Sequence, residues 1–144
     1  MIDRRNLIVV GLGAVVLRPA LATPAALQAA ISAFAGGRPV RDGRIKLDIA
    51  PLVENGNVVP VSVAVQSPMT AADHVQRIAI FNERNPQPEV ATFTLSPRNG
   101  RATVATRMRL ATSQTVVAVA LMNDGSAWQH RVEVLVTLAA CIET

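Results

Sequence analysis

Trp128-Gln129-His130-Arg131-Val132-Glu133-Val134-Leu135-Val136-Thr137-Leu138-Ala139-Ala140-Cys141-Ile142-Glu143-Thr144 is the stretch whose reading decides the fold. Trp128, His130, Val132, Val134, Val136 and Leu138 occupy alternate positions, the period that sets side chains on one face of a β-strand. A strand is therefore expected over residues 128–138, and residues 139–144 form a tail bearing Cys141, the single cysteine of 144 residues. Such a thiol has two readings. Free cysteine is usually a small buried hydrophobe, but a thiol held beyond the last strand of a folded body is also placed to react.

Upstream the same period recurs. Ile45, Leu47 and Ile49 alternate with Arg44, Lys46 and Asp48, and Val59, Val61, Val63 and Val65 alternate after the turn Asn55-Gly56-Asn57. Ala91, Phe93 and Leu95 alternate with Thr92 and Thr94, and further strands are expected over residues 74–82, 101–110 and 114–122. Ser67-Pro68, Asn85-Pro86, Ser96-Pro97-Arg98-Asn99-Gly100 and Asn123-Asp124-Gly125 separate them. About seven strands punctuated in this way give an all-β, immunoglobulin-like antiparallel sandwich. The run from Val116 to Leu121 is apolar on both parities, which places it centrally in a sheet or beneath a second protein. Pro60 inside a strand pattern argues for an edge or a bulge.

One short helix precedes the strands. Thr23 and Pro24 suit an N-cap and a first helical position, Leu27, Ile31 and Phe34 share a face, and Gly36-Gly37 ends the segment. Before it, residues 1–22 read as an export signal. Arg4 and Arg5 precede an apolar run from Leu7 to Leu17 that is too short to span a bilayer, and Ala20-Leu21-Ala22 offers a small-residue cleavage site. The paired arginines suggest the twin-arginine route. The expected organisation is thus a signal over 1–22, a sandwich domain over 23–138 and a cysteine-bearing tail over 139–144, located in the periplasm with no membrane segment in the mature form.

Charge and composition exclude several function classes. The chain has 14 Lys+Arg against 10 Asp+Glu, and losing Arg4, Arg5, Arg18 and Asp3 with the signal leaves a net charge of only +2. With no Tyr, three Phe and one Trp, it lacks the basic face and stacking aromatics of a nucleic-acid binder. His74 and His130 are 56 residues apart, so no metal-ligand spacing is present. His130 lies eleven residues before Cys141, over roughly 30 Å along an extended strand, so the two cannot pair within it. Both histidines read as solvated strand residues. No phosphate loop, nucleophile elbow or paired-carboxylate signature appears, so neither a catalytic set nor a cofactor is expected. A single cysteine cannot form an internal disulfide; the domain must hold together by packing.

Five stretches carry a family resemblance: residues 49–61 (Ile49-Ala50-Pro51-Leu52-Val53-Glu54-Asn55-Gly56-Asn57-Val58-Val59-Pro60-Val61); Ser67-Pro68-Met69-Thr70; Asn85-Pro86-Gln87-Pro88 with residues 90–93; Arg107-Met108-Arg109-Leu110-Ala111 with Gln114-Thr115-Val116; and Asp124-Gly125-Ser126-Ala127-Trp128. In these the chain resembles SoxY, the sulfur-carrier family of thiosulfate oxidation. The resemblance implies an immunoglobulin-like sandwich that forms a heterodimer with a SoxZ-like subunit in the periplasm. It also implies a carrier, not an enzyme, that holds sulfur intermediates covalently on the cysteine matched by Cys141. The implied partners are a haem-containing c-type cytochrome, a sulfate-releasing hydrolase and a sulfur dehydrogenase. The tail departs from the family pattern Gly-Gly-Cys-Gly-Gly, with Ala139-Ala140 before the thiol and Ile142-Glu143-Thr144 after it. Alanine restricts a backbone that glycine leaves free, Ile142 adds a β-branched side chain beside the sulfur, and Glu143 disfavours a thiolate. The alternative carried by that departure is a SoxY-like paralogue, a binding or structural partner without carrier duty.

Overall fold

The computed structural model describes residues 23–138. The expected signal and the tail, including Cys141, lie outside the described residues. Helix α1 (Pro24–Phe34) begins as its sequence dictates, with the Ala26 N–H donating to the Thr23 hydroxyl at 3.1 Å and Pro24 in the first turn. It ends at Gly36 and Gly37, which take φ of 64° and 76°, the left-handed region that favours glycine.

The strands follow in chain order as β1 (Val40–Asp42), β2 (Ile45–Asp48), β3 (Leu52–Val53), β4 (Val59–Val65), β5 (Val75–Asn82), β6 (Glu89–Thr94), β7 (Thr103–Met108), β8 (Gln114–Met122) and β9 (Ala127–Val136). A larger sheet is ordered β1-β9-β8-β5-β6, with β3 also on β9, and faces a smaller sheet ordered β2-β4-β7. The chain is the expected immunoglobulin-like sandwich. Its long strands pair antiparallel, while the two short strands absent from the sequence reading, β1 and β3, lie parallel along the outer edge of β9. The chain thus runs on the larger sheet at β1, crosses to the smaller one at β2 and returns at β3.

Local chemistry explains that crossing. Gly43 (φ 120°) and Arg44 (φ 58°) turn the chain between β1 and β2. A non-glycine residue in the left-handed region costs roughly 1–2 kcal/mol, and the Arg44 side chain offsets it. Its guanidinium donates to the Gln66 carbonyl at 2.9 and 3.2 Å and to both oxygens of Asp73 at 3.1 and 3.2 Å, and lies 5.9 Å from the Trp128 ring centroid.

The core between the sheets is built from the alternating residues. Val59, Val61 and Val63 of β4 meet Ile78 and Ile80 of β5 and Val116, Ala118 and Ala120 of β8, all within 2 % of full burial. The opposite parity of β5 and β8 is equally apolar because α1 covers it: Leu27 and Ile31 pack on Ala79, Phe81, Val117 and Val119. The two-sided apolarity of β8 therefore follows from its central position and from the chain's own helix, and the cover is not a second protein. Burying Leu27 and Ile31 contributes about 1.5–3 kcal/mol each.

Pro60 corrects an expectation. Its strand, β4, is the centre of the smaller sheet, not an edge. Yet β2 pairs only with Ser62 to Val65, so one flank of Pro60 has no strand neighbour and the missing N–H interrupts no ladder. No described helix is long and apolar enough to cross a membrane.

Candidate functional site

The end of β9 is the place from which the cysteine-bearing tail departs, and the fold fixes that end from three sides. Along its outer edge, the Leu135 N–H donates to the Pro51 carbonyl at 2.8 Å and the Thr137 N–H to the Val53 carbonyl at 3.0 Å. The Gly56 N–H then donates to the Leu138 carbonyl at 2.9 Å, while the Gly56 carbonyl accepts from the Leu110 N–H at 2.8 Å. On the inner edge the Ser113 hydroxyl accepts from the Val136 N–H at 2.8 Å, continuing the ladder where β8 has stopped. The backbone is therefore held up to Leu138, three residues before Cys141.

A partly buried amide network supports the loops that do the holding. Asn85 is its hub: its carbonyl oxygen accepts from the Ala111 N–H at 3.1 Å and the Gln114 amide at 2.8 Å, and its own amide donates to the Arg109 carbonyl at 2.7 Å. The Gln114 oxygen accepts from the Arg84 N–H at 2.9 Å, and Asn82 reaches Asn85 and Gln87. Asn82 and Gln114 are buried, and no buried side-chain polar atom among the described residues lacks a partner. The stretches 51–57, 85–88 and 109–114, scattered in sequence, thus converge on one end of the sandwich.

The remaining two stretches of the resemblance lie together at the other end. Ser67 and Thr70 hold Asp73, which pairs with Arg44. The Trp128 indole donates to the Ser126 hydroxyl at 3.0 Å, and the Ser126 hydroxyl and backbone N–H, both donating to Asp124, hold that carboxyl below its ordinary value. This cluster closes the turn into β9 and contributes to structure.

The histidines correct a second expectation. His130 is half-buried rather than solvated, and its Nδ1 accepts the Leu47 N–H at 2.9 Å, joining β9 to β2 across the sandwich. His74, also half-buried, donates Nδ1–H to the Thr70 carbonyl at 3.0 Å at the end far from the tail. The fold brings neither to the end of β9. Among the described residues no group of three or more His, Cys, Asp and Glu residues has the placement to hold a metal ion.

Sequence reasoning missed one feature of this end. The exposed large hydrophobics among the described residues are Leu52, Val58, Leu135 and Leu138, of which Leu52 and Leu135 lie on the β3–β9 pair and Leu138 just beyond it. Leu52 and Leu135 face each other across β3 and β9, 59 % and 62 % exposed. The signal was legible: Leu135 falls on the solvent parity of β9, after Gln129, Arg131 and Glu133.

The described residues form a small sandwich that holds the backbone leading into the cysteine-bearing tail. Comparisons with known proteins give its family. The family model described as sulfur oxidation protein SoxY matches residues 31–141, so its span ends on Cys141. The sulfur carrier protein SoxY from Chlorobium limicola f thiosulfatophilum is 33 % identical, with 76 % of this chain and 90 % of that one aligned at a TM-score of 0.64. The chain belongs to the SoxY family, whose members carry sulfur and do not turn it over. The superoxide reductase (neelaredoxin) from Ignicoccus hospitalis aligns over 81 % of this chain and 94 % of its own at 20 % identity and a TM-score of 0.58, a likeness of fold alone. No curated protein sequence matches the chain.

Proposed function

We propose that this SoxY-family protein is a periplasmic carrier that holds sulfur-oxidation intermediates on Cys141. The observation that carries the reading is the convergence of stretches 51–57, 85–88 and 109–114 on Leu138: they fix the base of the tail, as presentation of a reactive group from a rigid body requires. Joining a Cys141 thiolate to thiosulfate through a new S–S bond releases two electrons. Membership of the SoxY family points to a haem-containing c-type cytochrome as their acceptor. Water then cleaves the outer sulfonate as sulfate on a hydrolase, leaving a persulfide on Cys141 for a sulfur dehydrogenase. A SoxZ-like subunit completes the carrier as a heterodimer. That part rests on family membership, since the doubly apolar strand is covered by α1.

The test is the intact mass of the protein recovered from its native periplasm. Added sulfur or sulfonate on the C-terminal peptide, lost on treatment with reductant and absent from Cys141→Ser, is the expected result. Unmodified protein in cells oxidising thiosulfate overturns the reading in favour of a binding partner without carrier duty.

A further inference from the structure

We propose that the fold directs a spontaneous covalent modification, deamidation through a succinimide, to Asn99 and withholds it from Asn55. The chain holds two Asn-Gly pairs, Asn55-Gly56 and Asn99-Gly100. In such a pair the glycine nitrogen, once it has given up its proton, can attack the Cγ of the asparagine side chain, because glycine has no side chain to stand in the way. The new N–C bond closes a five-membered ring. The bond from Cγ to the side-chain nitrogen breaks, and ammonia leaves, taking up the proton that glycine gave up. Water then opens the ring at either carbonyl and leaves aspartate or isoaspartate. One water enters, one ammonia departs, and no oxidant or reductant is needed.

The two pairs differ at the attacking atom. Both side-chain oxygens accept a backbone N–H, Asn55 from Asn57 at 3.0 Å and Asn99 from Ser96 at 2.8 Å, so both carbonyls are polarised. Gly56, however, is buried, and its N–H donates to the Leu138 carbonyl at 2.9 Å while its carbonyl accepts from Leu110. Freeing that nitrogen means parting the loop from the end of β9. Gly100 is exposed, and its N–H makes a 3.2 Å bond to the Pro97 carbonyl within the single turn Pro97–Asn99. That contact opens without disturbing either sheet. Charge adds to the difference. Arg98 and Arg101 flank the pair and are exposed, and the ion pair among the described residues is Arg44 with Asp73, so no carboxylate neutralises them. Two cations favour the deprotonated nitrogen and the oxyanion that forms on Cγ, whereas Asn55 follows Glu54. The modified turn joins β6 to β7 at the end of the sandwich away from Leu138, since β7 runs from there towards Met108 and the bond between Leu110 and Gly56. The mark therefore adds a negative charge beside two arginines, leaves the base of the tail alone and records the age of the molecule. It is independent of the carrier reading.

The experiment incubates freshly purified protein at mildly alkaline pH, in native buffer and in concentrated urea, and follows both asparagines over time by the mass of chymotryptic peptides. Enzymatic methylation of isoaspartate confirms the product. In native buffer, conversion at Asn99 is expected to run at least about tenfold faster than at Asn55, because the Gly56 nitrogen is released only by a larger opening of the structure. In urea the gap is expected to narrow markedly, since there only the sequence neighbours differ. Conversion of Asn55 as fast as Asn99 in native buffer overturns the inference. So does an intact Asn99, or a gap that is as wide in urea as in the folded protein, which would assign the selection to sequence and not to the fold.

Discussion

Replacing Asn85 with alanine tests whether the amide network sets the stability of the tail's base. The substitution removes three hydrogen bonds, to the Ala111 N–H, the Gln114 amide and the Arg109 carbonyl. At about 1 kcal/mol net for each the total is near 3 kcal/mol. The Arg109 bond is exposed and water replaces it, whereas the Ala111 N–H and one Gln114 amide N–H lose their acceptor. Two effective losses, ~2 kcal/mol, therefore remain. For a domain of this size that lowers Tm by roughly 10 °C. The effect is also local, because the loop that Asn85 organises supplies the Leu110 N–H to Gly56 and the Ser113 hydroxyl to Val136. Thermal unfolding followed by circular dichroism measures the first effect, and amide hydrogen exchange the second. Exchange at Leu110, Val136 and Gly56 is expected to rise by more than that at Ile78 and Ile80 in the centre of β5. A stability loss below about 0.5 kcal/mol, or exchange that rises uniformly, refutes the assignment of Asn85 as the support of this end.

Ile31→Ala, which opens a void between α1 and β8, is expected to cost about 3 kcal/mol in denaturant unfolding and to expose the outer face of the larger sheet to hydrophobic dyes. His130→Phe keeps the volume but leaves the Leu47 N–H without its acceptor; a loss of about 1–2 kcal/mol is expected by chemical denaturation. Asp124 has a carboxyl held below its ordinary value by hydrogen bonds from the Ser126 hydroxyl and N–H. A depressed folded value means its contribution is present above that ordinary value and disappears as pH falls through the folded one, so the gap in Tm between native protein and Asp124→Asn narrows as pH drops below about 4. Glycine at Ala139, Ala140, Ile142 and Glu143 is expected to raise sulfate production in a reconstituted thiosulfate-oxidising system at equal carrier concentration, because it frees the backbone and removes a carboxylate near the thiol.

The period of two carried most of the fold. Val59–Val65 and Gln114–Met122 have the bounds their alternation and turns imply, and Thr23 and Pro24 start the helix where their chemistry places it. Strands β1 and β3 were not legible because three and two residues are too few to show a period; they exist by pairing with β9. Periodicity also could not say what covers Val117 and Val119, since an apolar outer face looks alike beneath a helix or a partner. At the site, the motif stretches were legible as a set but their convergence was not, because contacts such as Gly56 with Leu138 and Asn85 with Ala111 join residues far apart in sequence. His130 was misjudged for the same reason: its partner, Leu47, is 83 residues away.

The bonding on both flanks of β9 gives the protein a mechanical property. For a pull on Leu138 directed along the axis of β9, the hydrogen bonds to β8, β3 and β1 lie across the load. The load is shared among many bonds in shear and does not open them singly, as it would when a strand is peeled from one end. A load so directed therefore meets an anchor that resists as a unit and leaves the body of the sandwich intact.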